Sequence, residues 1–120
     1  MKGYEFKTLH FQLVSRVLNT QIYFDLMIQD MSYQMFLFSF MESFERWLLR
    51  QDTLSKDLSD SFVRFIQICR TLSRYYTRAS QKLKLKRLHT TRANIQAINW
   101  LLQKESEVIH LVDQHKRKPR

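Results

Sequence analysis

The sequence predicts an all-α fold, a single compact bundle of four to five helices, and three observations carry that expectation. Across 120 residues Gly3 is the only glycine and Pro119 the only proline, so neither helix breaker occurs from Tyr4 to Lys118. Hydrophobic residues make up 44% of the chain, enough to furnish a core and too many for a disordered polymer. Apolar residues recur at steps of three and four, the period of an amphipathic helix. The shortage of glycine also removes the rival classes. All-β folds use it for positive-φ turns, and Rossmann or P-loop sites use it to bring backbone close to phosphate. The length suits one domain that buries roughly two thirds of its unfolded surface. The expected organisation is a helical bundle over residues 1–114 and a basic tail over 115–120.

The first helix is expected from about Thr8 to Met27. Leu9, Leu13, Val14, Val17 and Leu18 mark one face, with Phe24 and Leu26 near the end. Asp25 or Asp30 is the candidate boundary. The second helix is expected from about Met31 to Gln51. Tyr33, Phe36, Phe40, Phe44 and Trp47 step by three, four, four and three, and Leu37, Met41 and Leu48 widen the stripe. Each ring buried on such a face contributes on the order of 2–3 kcal/mol, so this is expected to be the principal core helix. Residues Asp52 to Asp60 (DTLSKDLSD) are rich in side chains that bond to nearby backbone and compete with helix. They predict a loop, with a helix start between Asp57 and Ser61.

The third helix is expected to reach about Ser80. Leu58, Phe62, Phe65, Ile66, Cys69, Leu72, Tyr76 and Ala79 form its apolar stripe, which makes Cys69 a small buried hydrophobe rather than a nucleophile. The fourth is expected from about Thr90 to His115. Ile95, Ile98, Leu102, Ile109 and Val112 recur near heptad spacing, broadened by Leu101, Val108 and Leu111. Trp100 falls on another face, either as a half-buried edge residue or as an anchor for a neighbour.

Charge is segregated along the chain. Residues 1–60 hold six Lys/Arg against eight Asp/Glu, whereas residues 61–120 hold fourteen against three; the halves carry −2 and +11. A strongly basic half points to a phosphate-bearing or otherwise acidic partner. Within it, Arg70, Arg74, Arg78 and Lys82 recur every four residues with no acid between them. Like charges at that spacing share a helix face and repel by a few tenths of a kcal/mol per pair, a cost that a phosphate backbone offsets from outside. The stretch Gln81–Arg92 (QKLKLKRLHTTR) continues the positive region through Lys84, Lys86, Arg87 and Arg92. No second alternating run exists to pair with it as a hairpin. It is expected to be a helix–helix corner, pinned by Leu83, Leu85 and Leu88 with its lysines outward.

The arginines offer planar forks to phosphate oxygens, the lysines point charges. Tyr75 either packs beneath an arginine stem or stacks on an unpaired base or ribose. Tail residues Lys116, Arg117, Lys118 and Arg120 add non-specific attraction. No helix-turn-helix glycine turn, zinc-finger spacing or aromatic RNP motif is present, so the expected mode is backbone binding to RNA or single-stranded DNA without base readout.

Other chemistry is not expected. Of His10, His89, His110 and His115, no two are four apart, no CxxC accompanies them and the chain has no pair of ExxH motifs, which predicts no metal and no cofactor. No nucleophile–base pattern is recognisable, so the chain is not expected to be an enzyme. A single cysteine allows no intrachain disulfide, and MKGYEFKTLH has no apolar leader core; both fit a cytoplasmic protein. The most apolar stretch, Met31 to Met41, has eleven residues, short of the ~20 needed to cross a bilayer, so no membrane partner is expected.

The arginine ridge at Arg70, Arg74 and Arg78, the KLKLKR corner and the breaker-free body resemble the small subunits of Cascade-like CRISPR surveillance complexes, which are compact, strongly basic helical bundles. That resemblance implies an antiviral ribonucleoprotein in which several copies stack along a guide RNA–target duplex, their basic faces guiding a strand. The chain is also similar to the accessory proteins of diversity-generating retroelements, which associate with a reverse transcriptase and its RNA. Both imply nucleic acid and other protein subunits, including further copies of the chain, as partners. The alternative class is a protein-only adaptor or inhibitor that binds an acidic partner surface.

Overall fold

A computed structural model describes the backbone of residues 2–77 and 95–117 and the side chains of residues 7–77 and 95–114. The protein is all-α. Among the described residues there are four α-helices and a 3-10 turn, and no strand: α1 (Lys2–Gln29), the 3-10 turn (Met31–Tyr33), α2 (Gln34–Leu49), α3 (Lys56–Thr77) and α4 (Ile98–Arg117). The chain divides into two compact units, Met1–Phe44 and Glu45–Arg120.

In the first unit α1 runs longer than the sequence predicts, 28 residues, because nothing between Lys2 and Gln29 interrupts it. It stops at Asp30, whose extended backbone (φ −149°) leaves the helix and whose carboxylate accepts the Ser32 N–H at 3.0 Å. That bond holds the Asp30 carboxyl below the usual carboxylate range. The cap opens the 3-10 turn, and α2 follows directly.

The buried face of α1 differs from the one expected. Leu13, Thr20, Phe24 and Met27 are buried, but Val14 and Leu18 are exposed. The expected stripe merged two lines that a 100° step per residue places on different sides of the helix. Thr20 is tolerated in the core because its hydroxyl donates to the Arg16 carbonyl at 2.8 Å. The same correction applies to α2. Leu37, Met41 and Phe44 are buried, whereas Phe36 is exposed and Tyr33 and Phe40 are only half-buried. The aromatic residues flank the core and pack on each other: Tyr33 lies 6.0 Å from Phe36, Tyr23 5.5 Å from Phe40 and Phe40 6.5 Å from Phe44, all with tilted rings.

In the second unit the end of α2 is closed by Gln51, whose side-chain amide donates to the Trp47 carbonyl at 2.9 Å. Ser55, not a residue between Asp57 and Ser61, caps α3. Its hydroxyl accepts the Leu58 N–H at 3.2 Å, and Asp57 sits in the first turn near the positive end of the helix dipole. The loop before α3 is therefore shorter than DTLSKDLSD. Along α3, Phe62, Phe65, Ile66, Cys69 and Leu72 are buried as the periodicity predicts. Leu48 of α2 and Leu101, Val108 and Val112 of α4 complete this unit's apolar core.

The seam of α4 is thus set by Leu101 and Val108, expected only to broaden it, together with Val112 of the expected repeat, while Ile98, Leu102, Ile109 and Leu111 are half-buried. The α3–α4 pair is tied at its start by Gln96. Its backbone N–H donates to the Ser61 carbonyl at 3.3 Å and its side-chain amide to the Ser61 hydroxyl at 3.2 Å. Ala97 then adopts a left-handed φ of 54° before α4 begins, a conformation that disfavours any side chain.

Candidate nucleic-acid interface

Of the expected phosphate-binding residues, Arg70 and Arg74 lie among the described side chains, both on α3. Arg78, Lys82, Lys84, Lys86, Arg87 and Arg92, and with them the KLKLKR corner, lie outside the described residues. So do Lys118 and Arg120; Lys116 and Arg117 fall in the last turn of α4, where only backbone is described.

The two arginines of α3 have different environments. A row of residues four apart does not run straight along a helix but advances by about 40° at each step. Arg70, earlier in the row, is on the flank of α3 beside α2, where its Nη2 donates to Glu45 Oε1 at 2.8 Å. Both side chains are about a quarter exposed (26% and 25%). The ridge that carries no acid in the sequence therefore receives one from another helix. One step on, Arg74 has turned to solvent; it is exposed and makes no ion pair among the described residues.

The outward line of α3 is Arg64, Gln67, Thr71 and Arg74, all exposed. Arg64 belongs to this surface and was not legible from four-residue spacing, because the line reaches it through steps of three, four and three with two uncharged residues between. Two hydroxyls of α3 bond the helix itself: Thr71 donates to the Gln67 carbonyl at 3.0 Å and Ser73 to that of Arg70 at 2.9 Å. Arg46, Arg50 and Lys56 are exposed cations of the same unit. Lys104 is not part of this set. It is buried on α4, its ammonium 3.0 Å from Glu107 Oε2 and 5.7 Å from the centre of the Trp100 ring.

The aromatic candidates are half-buried. Tyr75 has part of its surface accessible. Trp100 packs within its own unit, its ring 6.2 Å from that of Phe65. Cys69 is fully buried, and burial among apolar side chains pushes its thiol far above the usual range, which suits the packing role expected of it. A cleft of about 410 Å³ at the start of α3 is lined by Ser55, Asp57, Leu58, Ser61, Ile95 and Gln96. The Ser61 hydroxyl there is engaged with the Leu58 carbonyl at 2.6 Å, and among the described residues Asp57 is the one ionisable side chain in the lining. Among the described residues no group of three His, Cys, Asp or Glu side chains is placed to hold a metal ion, and no helix is long and apolar enough to cross a membrane.

The chain matches no protein-family model, no curated protein and no solved structure, so its function is argued from its own residues.

Proposed function

We propose that the chain is a non-enzymatic, basic helical subunit of a nucleoprotein complex, which binds the sugar-phosphate backbone of RNA or single-stranded DNA without reading bases. One observation carries the reading: positive charge is gathered in a single folding unit. Residues 45–120 hold seventeen Lys/Arg against seven Asp/Glu, net +10, while residues 1–44 hold three against four, net −1. The excess is densest from Arg78 to Asn94, with six Lys/Arg and no acid, immediately after the exposed Arg74. Potential of one sign over a contiguous stretch attracts polyanions and tolerates any base sequence.

Arg74 supplies a fork on α3, Arg64, already engaged within the chain, adds its charge to the same line, and Lys82, Lys84, Lys86, Arg87 and Arg92 supply point charges and forks beyond it. Arg70 joins when a phosphate competes with Glu45. The nearly neutral first unit then serves protein neighbours. The resemblance to small subunits of CRISPR surveillance complexes gives the reading its most concrete form, cytoplasmic and repeated along a guide RNA–target duplex. An acidic protein surface is the competing ligand, because the Arg70–Glu45 pair shows that this ridge also accepts a carboxylate.

Charge reversal tests the proposal. The variant Arg74→Glu, Lys82→Glu, Lys84→Glu, Lys86→Glu is expected to lose affinity for every single-stranded sequence alike, with its salt slope reduced by about 0.7–0.9 per contact removed. Unchanged affinity rejects the surface. Wild-type protein that binds an acidic protein tightly and nucleic acid negligibly rejects the reading in favour of the adaptor.

A further inference from the structure

α1 is apolar on two sides. One side holds the buried Leu13, Thr20, Phe24 and Met27. Roughly 150° around the helix runs a second line, Phe11, Val14, Leu18 and Ile22, whose exposures are 74%, 43%, 52% and 54%. Its steps of three, four and four are those of a helix-pairing seam. A helix with two opposed apolar faces has one more packing partner than a surface helix needs. Four exposed large side chains in one line exceed the scattered apolar residues normal on a protein surface.

The ends of the line identify the occupant. Extending it by the same steps reaches Lys7, exposed, at one end and Asp25, half-buried, at the other, about 27 Å apart along the axis. Between them the only other Lys, Arg, Asp or Glu is Arg16, which falls roughly 150° away from the line. The stripe is thus uncharged along its length and oppositely charged at its two ends. A second copy laid parallel sets Lys7 against Lys7 and Asp25 against Asp25. Laid antiparallel, one register sets Val14 opposite the partner's Leu18 and Lys7 opposite the partner's Asp25, with Phe11 one residue out of step beside the partner's Ile22, and each contact occurs twice.

We infer that the Phe11–Val14–Leu18–Ile22 face of α1 is a homodimer interface, in which two copies of the chain pair their first helices antiparallel about a two-fold axis near residues 14–18. The contact is isologous and closed, unlike a head-to-tail stack. One helix face with four apolar side chains is a small patch beside the roughly 20–30 residues a side of a standard stable interface, so the dimer is expected to dissociate on dilution. The inference uses only α1 and does not depend on nucleic-acid binding.

Sedimentation equilibrium of nuclease-treated full-length protein over a wide concentration range is expected to show a monomer–dimer equilibrium. Leu18→Glu, which sets a charge near the two-fold axis, should weaken it at least tenfold with the far-ultraviolet circular dichroism unchanged. Lys7→Glu, which sets an acid opposite Asp25, should weaken it less, and the effect should fade in high salt. Orientation is read by oxidising a mixture of Val14→Cys and Leu18→Cys proteins, with wild type as the control for the buried Cys69. The mixed disulfide is expected to dominate over both homodisulfides. A monomer at every concentration, a dimer indifferent to Leu18→Glu, or a predominance of homodisulfides would each overturn the inference.

Discussion

Replacing Glu45 with glutamine should move stability and nucleic-acid affinity in opposite directions. Arg70 donates to the Glu45 carboxylate at 2.8 Å, and each side chain is about a quarter exposed (25–26%). Solvent screens a pair this accessible, so the variant should lose only about 0.5–1 kcal/mol of folding stability, seen as a fall of a few degrees in the thermal midpoint. The same change releases a guanidinium one turn from the exposed Arg74. If both arginines face the bound strand, one further phosphate is neutralised and the log–log salt slope steepens by about 0.7–0.9. A contact of that kind changes affinity about threefold between 50 and 200 mM salt.

The assay is fluorescence anisotropy on a labelled single-stranded oligonucleotide at several salt concentrations, with thermal unfolding alongside. Asp52→Asn removes the same charge from an exposed position and serves as the control; its slope should match wild type. A Glu45→Gln protein that is destabilised but binds no more tightly, with an unchanged slope, refutes the argument that Arg70 lies on the binding path.

Three further outcomes test the fold that presents these residues. Phe65→Ala should cost about 3–5 kcal/mol, measured by urea unfolding, because the ring is fully buried and packs on Trp100 at 6.2 Å. Ala97→Gly should stabilise the protein by up to about 1 kcal/mol in the same assay, since glycine adopts the 54° φ without a Cβ clash and the gain is partly offset by the freer unfolded chain. Cys69 should resist alkylation in native protein at neutral pH and react at the rate of unfolding, because the thiol is buried and burial disfavours its thiolate; rapid native labelling would contradict the packing of α3.

The helical class and the core of α3 are legible in the sequence because the signals there are redundant. No glycine or proline lies between Tyr4 and Lys118, and Phe62, Phe65, Ile66, Cys69 and Leu72 keep one period. The faces of α1 and α2 are less legible because each helix offers more apolar residues than one face can bury. Periodicity then cannot choose between Val14 and Leu13, or between Phe36 and Leu37; packing chooses the leucines. Four-residue spacing finds Arg70 and Arg74, but it misses both the carboxylate that α2 brings to Arg70 and the outward position of Arg64, which are matters of tertiary arrangement and helical drift. Ser55 is hidden as a cap by Asp57 and Asp60, which resemble one just as well in sequence.

The salt dependence of wild-type binding to two single-stranded oligonucleotides of equal length and unrelated sequence bears most directly on what the protein does. A steep slope, the same for both, with similar affinities at each salt concentration, is the outcome that backbone recognition by the basic unit requires. Binding that favours one sequence strongly and barely responds to salt, or no binding at all at low salt, would contradict it.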